Sequence, residues 1–424
     1  MKKILFSAIV FAVAFTSCRK EADYVPYIGE SGKLAYSTYT EQFDYIWKCI
    51  STGYVFWDVD TVDWDAAYDR FKPSFEALDK KYQDSGYVRT EELNNLYNSM
   101  MGSMRDHHMA TVVRNLHPAP DDASVLAYVN PGRNEVSGRD YYIEASAEEQ
   151  AGLKNFLANI EQHYTISAHD SASARISELS NSYVHYVYLL ITLADGRKIP
   201  YLWQSLAAIT PVMRDQQGSP AQQLLDRWLR DIAETPRNQL AGVILDNRAN
   251  RGGYQDDLDY LVGSYINQRT CIMQTRYKEG PGRLEHSAWT PYYIEPSSRY
   301  HRDLGAENIP FVVLCDINSV SMGEIEPMVM RSVLPTAYII GERTYGGTGP
   351  LQPVADINLN YGGPFGNYNE HHHYVYTSTF EARINGRVME GEGLTPDEVI
   401  LRKDHNGDFL PQFAAAIRYI TAAK

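Results

Sequence analysis

Two short stretches of this chain carry residues that could do chemistry together. The first is Ser319-Val320-Ser321-Met322-Gly323-Glu324, which follows the apolar run Phe311-Val312-Val313-Leu314-Cys315 and opens a helical pattern. A serine at a strand-to-helix turn is presented outward at the positive end of the helix dipole, where main-chain N–H groups can stabilise an oxyanion. The second is Asp246-Asn247-Arg248-Ala249-Asn250-Arg251-Gly252-Gly253, directly after the apolar run Leu240–Leu245. Paired glycines there let the main chain approach a substrate or another loop closely. Together they suggest a nucleophile and an oxyanion site. Taken singly, each is equally an ordinary turn.

The elements that must position them read as follows. Tyr68, Phe71, Phe75 and Leu78, then Leu93, Tyr97, Met100, Met101 and Met104, recur at helical spacing, and Asp63-Trp64-Asp65 looks like a capped helix start. Residues 37–109 therefore read as a small helical domain. Residues 110–180 are broken by Pro118, Pro120 and Pro131, with a helix expected near 147–162. Tyr183–Leu193 and Ile199–Trp203 flank Asp195-Gly196 and read as a hairpin. From there strands alternate with helices through 337–340, and an amphipathic helix closes the chain over 409–420. That alternation implies a layered α/β core over 181–424.

The order of the motifs carries more than any one of them. Asp246-x-Arg-x-Asn-x-Gly-Gly is followed by Ser321-Met-Gly-Glu, then Gly341-Glu342-Arg343-Thr344-Tyr345-Gly346-Gly347, then Glu390-Gly391-Glu392-Gly393-Leu394-Thr395-Pro396-Asp397. This succession resembles the tail-specific, or C-terminal processing, serine peptidases and their tricorn-like relatives. The helical stretch ending Met104-Arg105-Asp106-His107-His108 is similar to that family's helical domain with its terminal Asp-x-His. The resemblance implies a crotonase-like α/β peptidase core, commonly with an interposed PDZ domain; 110–180 shows no convincing PDZ signature. It implies Ser321 as nucleophile, with an oxyanion hole from the N–H of Met322 and of Gly253, or alternatively Gly252.

The base departs from the common pattern. Many relatives use a lysine from a Thr-x-Gly-Lys stretch, but here the stretch is Thr344-Tyr345-Gly346-Gly347. The tricorn-type branch uses a histidine from the helical domain supported by a glutamate, and His108 and Glu390 match those positions. His107 and Glu392 are their near competitors. Glu324 is expected to cap or anchor the helix rather than react, and Ser319→Ala to retain most activity. The expected chemistry is acyl-enzyme peptide hydrolysis with no metal or organic cofactor, so the expected partner is a peptide or unfolded protein. The rival reading is a non-catalytic surface lipoprotein that binds peptides or glycans on the same fold.

Composition sets outer limits. The chain has 424 residues, is 44% hydrophobic, and has a formal net charge of −14. Such acidity argues against a nucleic-acid partner. Lys2 and Lys3, the apolar run Ile4–Phe15 and Thr16-Ser17-Cys18 have the layout of an export signal over 1–17 with a lipobox-like end. Cys18 would then be lipidated, with 18–36 a tether to the cell envelope, on the periplasmic side or the cell surface; Lys20-Glu21 leaves the leaflet open. Cys49, Cys271 and Cys315 have no metal or disulfide spacing, and Cys315 reads as a buried strand residue. Contiguous His371-His372-His373 reads as a solvated loop, not a metal site. Oligomeric state has no signal.

Overall fold

The computed structural model describes residues 36–131, 146–176, 183–350, 361–366 and 373–423. The export signal, Cys18, His371 and His372 lie outside them. Three helices come first: α1 (Tyr39–Gly53), α2 (Trp64–Ser85) and α3 (Thr90–Met101). Helix α1 begins in a reciprocal capping box between Thr38 and Glu41. Asp63 caps α2, whose far end is Gly86 in the left-handed region at φ 78°. The helices bury Phe43, Ile46, Phe75, Leu93, Tyr97 and Met101 in one core. Each such large apolar side chain contributes about 1.5–3 kcal/mol on full burial.

That core is closed by a sheet from distant parts of the chain. Strands β1 (Ala110–Arg114) and β2 (Leu126–Val129) are adjacent in sequence. After them come α4 (Ser146–Ala158), β3 (Ile166–Arg175), β4 (Tyr183–Thr192), β5 (Lys198–Gln204), α5 (Ile209–Asp215), α6 (Pro220–Glu234), β6 (Val243–Asp246) and α7 (Asp257–Leu261). Then follow β7 (Thr270–Arg276), β8 (Thr290–Ile294), β9 (Phe311–Cys315), α8 (Met322–Val333), β10 (Ala337–Gly341), β11 (Phe365–Gly366) and β12 (His373–Tyr376). The last elements are β13 (Glu381–Ile384), β14 (Arg387–Val388), β15 (Glu398–Val399) and α9 (Leu410–Ala422). The first sheet has the order β11-β12-β1-β2, with Val112 opposite Tyr374 and Val113 opposite His373. Its inward Val113, Val129, Phe365 and Val375 pack on the helices.

The central sheet has seven strands in the order β15-β10-β9-β6-β5-β4-β3. The first five are joined in parallel, and β4 and β3 add antiparallel. Alternate residues feed two layers. Tyr188, Leu202, Leu245 and Val313 face α6 and α8 through Leu225, Trp228 and Val329. Leu189, Tyr201, Ile244 and Val312 face α4 and α9 through Leu153, Leu157 and Phe413. This is the layered α/β core that the alternation implies. A third sheet, β14-β13-β7-β8, flanks it.

Two details differ from the sequence reading. The described part of 110–180 makes no module of its own: β1 and β2 join the helical domain's sheet, while α4 and β3 join the core. The core sheet thus begins upstream of 181. Strand β3 escaped notice because Ser167, Asp170, Ser171 and Ser173 give an edge strand no apolar period. The solvated-loop reading also fails at His373, which is fully buried at the start of β12 and shares a 2.9 Å hydrogen bond between Nδ1 and the Tyr36 hydroxyl.

Candidate active site

The carboxyl ends of β6, β9 and β10 carry the loops that meet at Ser321, the usual place for a site in an open parallel sheet. Buried side chains tie these loops together. Arg248 and Asp246, both fully buried, pair at 2.5 Å, and Arg248 also donates to the Phe409 carbonyl at the head of α9. The Ala249 N–H donates to Asp316 at 3.0 Å, and the Val320 N–H to the Asn250 carbonyl at 2.9 Å. Ser319 joins this network. Its hydroxyl is fully buried, donates to the Asn247 carbonyl at 2.7 Å and accepts from the Asp316 N–H at 3.0 Å.

Ser321 itself stands at the N-cap of α8 with φ 56° and ψ −122°. A positive φ is costly for any residue with a Cβ, and such strain persists only where its surroundings impose it. Here they do. The Ser321 N–H donates to the Gly347 carbonyl at 2.8 Å, and its own carbonyl accepts from Glu324 and Ile325 at 2.9 Å each. Gly252 lies against it so closely that a Cβ there would fall 2.5 Å from the Ser321 Cβ.

The two glycines divide their tasks. The Gly252 N–H is taken by the Asn250 side chain at 2.9 Å. Gly253 sits in a parallel bridge with Ala207, whose hydrogen bonds run through the Gly252 carbonyl and the Tyr254 N–H. In that pattern the bridging residue's own N–H points the other way. Gly253 is exposed, and among the described residues its N–H donates to no other group.

His108 arrives from the helical domain. A Cβ added at Gly347 would lie 3.5 Å from the His108 Cε1, so the imidazole packs on the residue whose carbonyl holds the Ser321 N–H. One ring nitrogen of His108 and one carboxylate oxygen each of Asp106 and Glu390 lie within 4.8 Å of one another, all buried. Burial, then the neighbouring His107, pushes the His108 imidazole down to about 3. Burial also holds the Glu390 carboxyl well above its ordinary range, and raises Asp106. A neutral imidazole is the form that can accept a hydroxyl proton.

The competing residues have other partners. Glu390 accepts from the His107 N–H at 2.7 Å and from the Thr348 and Gly349 N–H groups at 2.5 Å each. Glu392 pairs with Arg105 at 2.8 Å and with Arg387. The His107 Nδ1 contacts the Tyr345 carbonyl at 3.0 Å, not the serine loop. Glu324 anchors a loop rather than capping its helix: one carboxylate oxygen accepts from Thr344 Oγ1 and, at 2.7 Å, from the Gly346 N–H.

Asp106 received no role from the sequence, although Asp-x-His marked its position. It is fully buried, accepts from the His108 N–H at 2.9 Å and the Ser378 N–H at 2.7 Å, and takes the Thr377 hydroxyl at 2.6 Å. It thereby pins the His108 turn to the segment after β12. Arg283 adds a two-pronged pair with Asp65 at 2.6 and 3.0 Å, and Arg276 joins Asp58 to Glu381.

Residues 213–400 match the sequence model of Peptidase family S41. Among solved structures, a peptidase from Parabacteroides merdae is 20% identical with a TM-score of 0.59, over 92% of this chain and 98% of that one. The structure of mature CPAF complexed with lactacystin is 13% identical with a TM-score of 0.52, over 90% and 98%. At such identities the likeness is one of fold. No curated protein matches the chain.

Proposed function

From a chain that belongs to peptidase family S41, we infer an exported serine peptidase that cleaves peptides or protein C-terminal tails through an acyl-enzyme at Ser321. The observation that carries this reading is the strained Ser321 at the head of α8, set against Gly252 and the Gly347 loop beside His108. Ser321 Oγ attacks the scissile carbonyl, and His108 accepts its proton and returns it to the leaving amine. The N–H groups of Met322 and Gly253 receive the oxyanion, since Asn250 already occupies that of Gly252. Glu390 supports the imidazole through the loop it fastens and through its nearby carboxylate.

Gly347 bears on the choice of base. It stands where Ser–Lys relatives carry their lysine, and the His108 ring packs beside the place that lysine's Cβ would occupy. The histidine then serves where the lysine is missing. Cys18 is lipidated on this reading, holding the enzyme to the cell envelope.

The test is a fluorophosphonate probe followed by peptide mapping. The expected adduct is on Ser321, absent from Ser321→Ala. A well-folded wild type that neither takes the probe nor cleaves any peptide of a proteome digest would leave the non-catalytic binding reading as the better one.

A further inference from the structure

A concavity of about 520 Å³ lies against the edge of the central sheet, lined by Lys154 of α4, His169, Ser171 and Ser173 of β3, His185 of β4 and Trp203 of β5. Its polar groups are mostly donors or cations. The Lys154 Nζ stands 6.0 Å from the Trp203 ring centroid. His185 Nδ1 and Ser173 Oγ share a 2.6 Å hydrogen bond. His169 at the rim pairs with Glu161 at 3.5 Å. Asp170, on the same strand, is turned to Arg227 at 2.5 Å. Among the described residues no carboxylate pairs with Lys154 or His185. Burial lowers both from their ordinary values, and the charges of Lys154 and Arg251 lower His185 further. In a chain of net charge −14, a half-buried pocket with this lining is the exception.

The pocket is joined to the serine loop through main chain. The His185 N–H donates to Ser205 Oγ at 2.9 Å, and its carbonyl accepts from the Ser205 N–H at 3.0 Å. The Ser205 carbonyl accepts from the Arg251 N–H at 3.4 Å, and Gln150 of α4 bridges Ser205 to Ala249 at 3.2 and 2.9 Å. Arg251 immediately precedes the glycine that packs on Ser321. Strand β3 is also an edge of the central sheet, and its last residue is followed by Ile176, whose carbonyl accepts from the Tyr254 hydroxyl at 3.4 Å. An extended peptide lying along such an edge sends alternate side chains to one face.

We propose that this pocket is a subsite for a carboxylate of the bound peptide, with Lys154 supplying the charge and His185 and the serine hydroxyls the hydrogen bonds. The proposal rests on the peptidase reading of Ser321. The carboxylate has two sources, an acidic side chain or the peptide's own C-terminus. Both present the same planar anion to a lysine and neutral donors.

The experiment uses octapeptides carrying glutamate or glutamine at one scanned position, each made with a free or an amidated C-terminus. Binding is measured by calorimetry on full-length Ser321→Ala, and kcat/KM on the protein with Ser321 intact. The expected result is a preference of about tenfold for the acid form at one position or at the C-terminus, which names the source. That preference falls to about onefold on adding Lys154→Met and survives Lys154→Arg. Equal binding of acid and neutral forms, including none, overturns the proposal. So does a preference that outlives Lys154→Met. Acid-selective binding without any cleavage by the Ser321 protein would instead sink the peptidase reading and leave the pocket standing.

Discussion

The N–H of Ser321 is bonded to the carbonyl of Gly347 at 2.8 Å, and the His108 ring packs beside the place a Cβ of that same glycine would occupy. The proposed nucleophile and base are thus held to one loop, which Glu390 and Glu324 fasten in turn. The consequences are open to measurement.

Gly252→Ala is expected to abolish activity and to destabilise the fold by more than 1 kcal/mol. The new methyl group would fall 2.5 Å from the Ser321 Cβ, at a φ of 93° that a Cβ disfavours. Gly253→Ala should do the same, because its Cβ would meet the Ala207 carbonyl oxygen at 2.0 Å. Urea titration and a peptide assay read both effects. An active, fully stable Gly252→Ala protein would contradict the close packing.

The pH profile follows from the direction of the His108 shift. A histidine at its ordinary value protonates near 6.5, which would cut activity below neutrality. Burial moves His108 down to about 3, so the neutral, proton-accepting form persists to lower pH. The acid limb of kcat/KM should therefore lie clearly below pH 6. A limb at 6.5 that vanishes with the histidine would show the imidazole to be better solvated than its burial implies.

His108→Ala should cost at least about a thousandfold in kcat, as loss of a base in such a triad does. His107→Ala is not silent either. Its ring holds the Tyr345 carbonyl and packs on Gly346, so the loop that meets Ser321 loosens. The two separate by readout: His107→Ala lowers the melting temperature together with activity, whereas His108→Ala acts chiefly on turnover.

Ser319→Ala, which the sequence alone would treat as harmless, should lower stability by about 1–3 kcal/mol. It leaves the Asn247 carbonyl and the Asp316 N–H without their shared buried partner. Urea unfolding checks it. A change below about 0.5 kcal/mol would mean that water replaces the hydroxyl.

For the envelope anchor, wild type should partition into detergent and Cys18→Ala into the aqueous phase. Stable anchoring takes more than one acyl chain at about 0.8 kcal/mol per buried methylene. Aqueous partitioning of both proteins would overturn lipidation.

How much of this could be read in advance depended on burial. Strand β9 and helix α8 lie at the residues their apolar pattern marks, because both are packed on all sides and their pattern is unambiguous. The Ser321 turn was legible for the same reason. Strand β3, exposed at an edge and rich in serine, was not. Neither was the role of Asp106, since its donors Thr377 and Ser378 stand far along the chain. Pairings across such separations leave no local signal. The different partners of Glu390 and Glu392 also needed coordinates, as two residues on one short turn hold separate groups.

The small sheet that seats His108 has a further meaning for the protein's lifetime. Its strand β1 follows the histidine directly but leans on β12, and Glu390 comes later still. A polypeptide emerging from the ribosome therefore carries its serine and its histidine before it owns the means to bring them together.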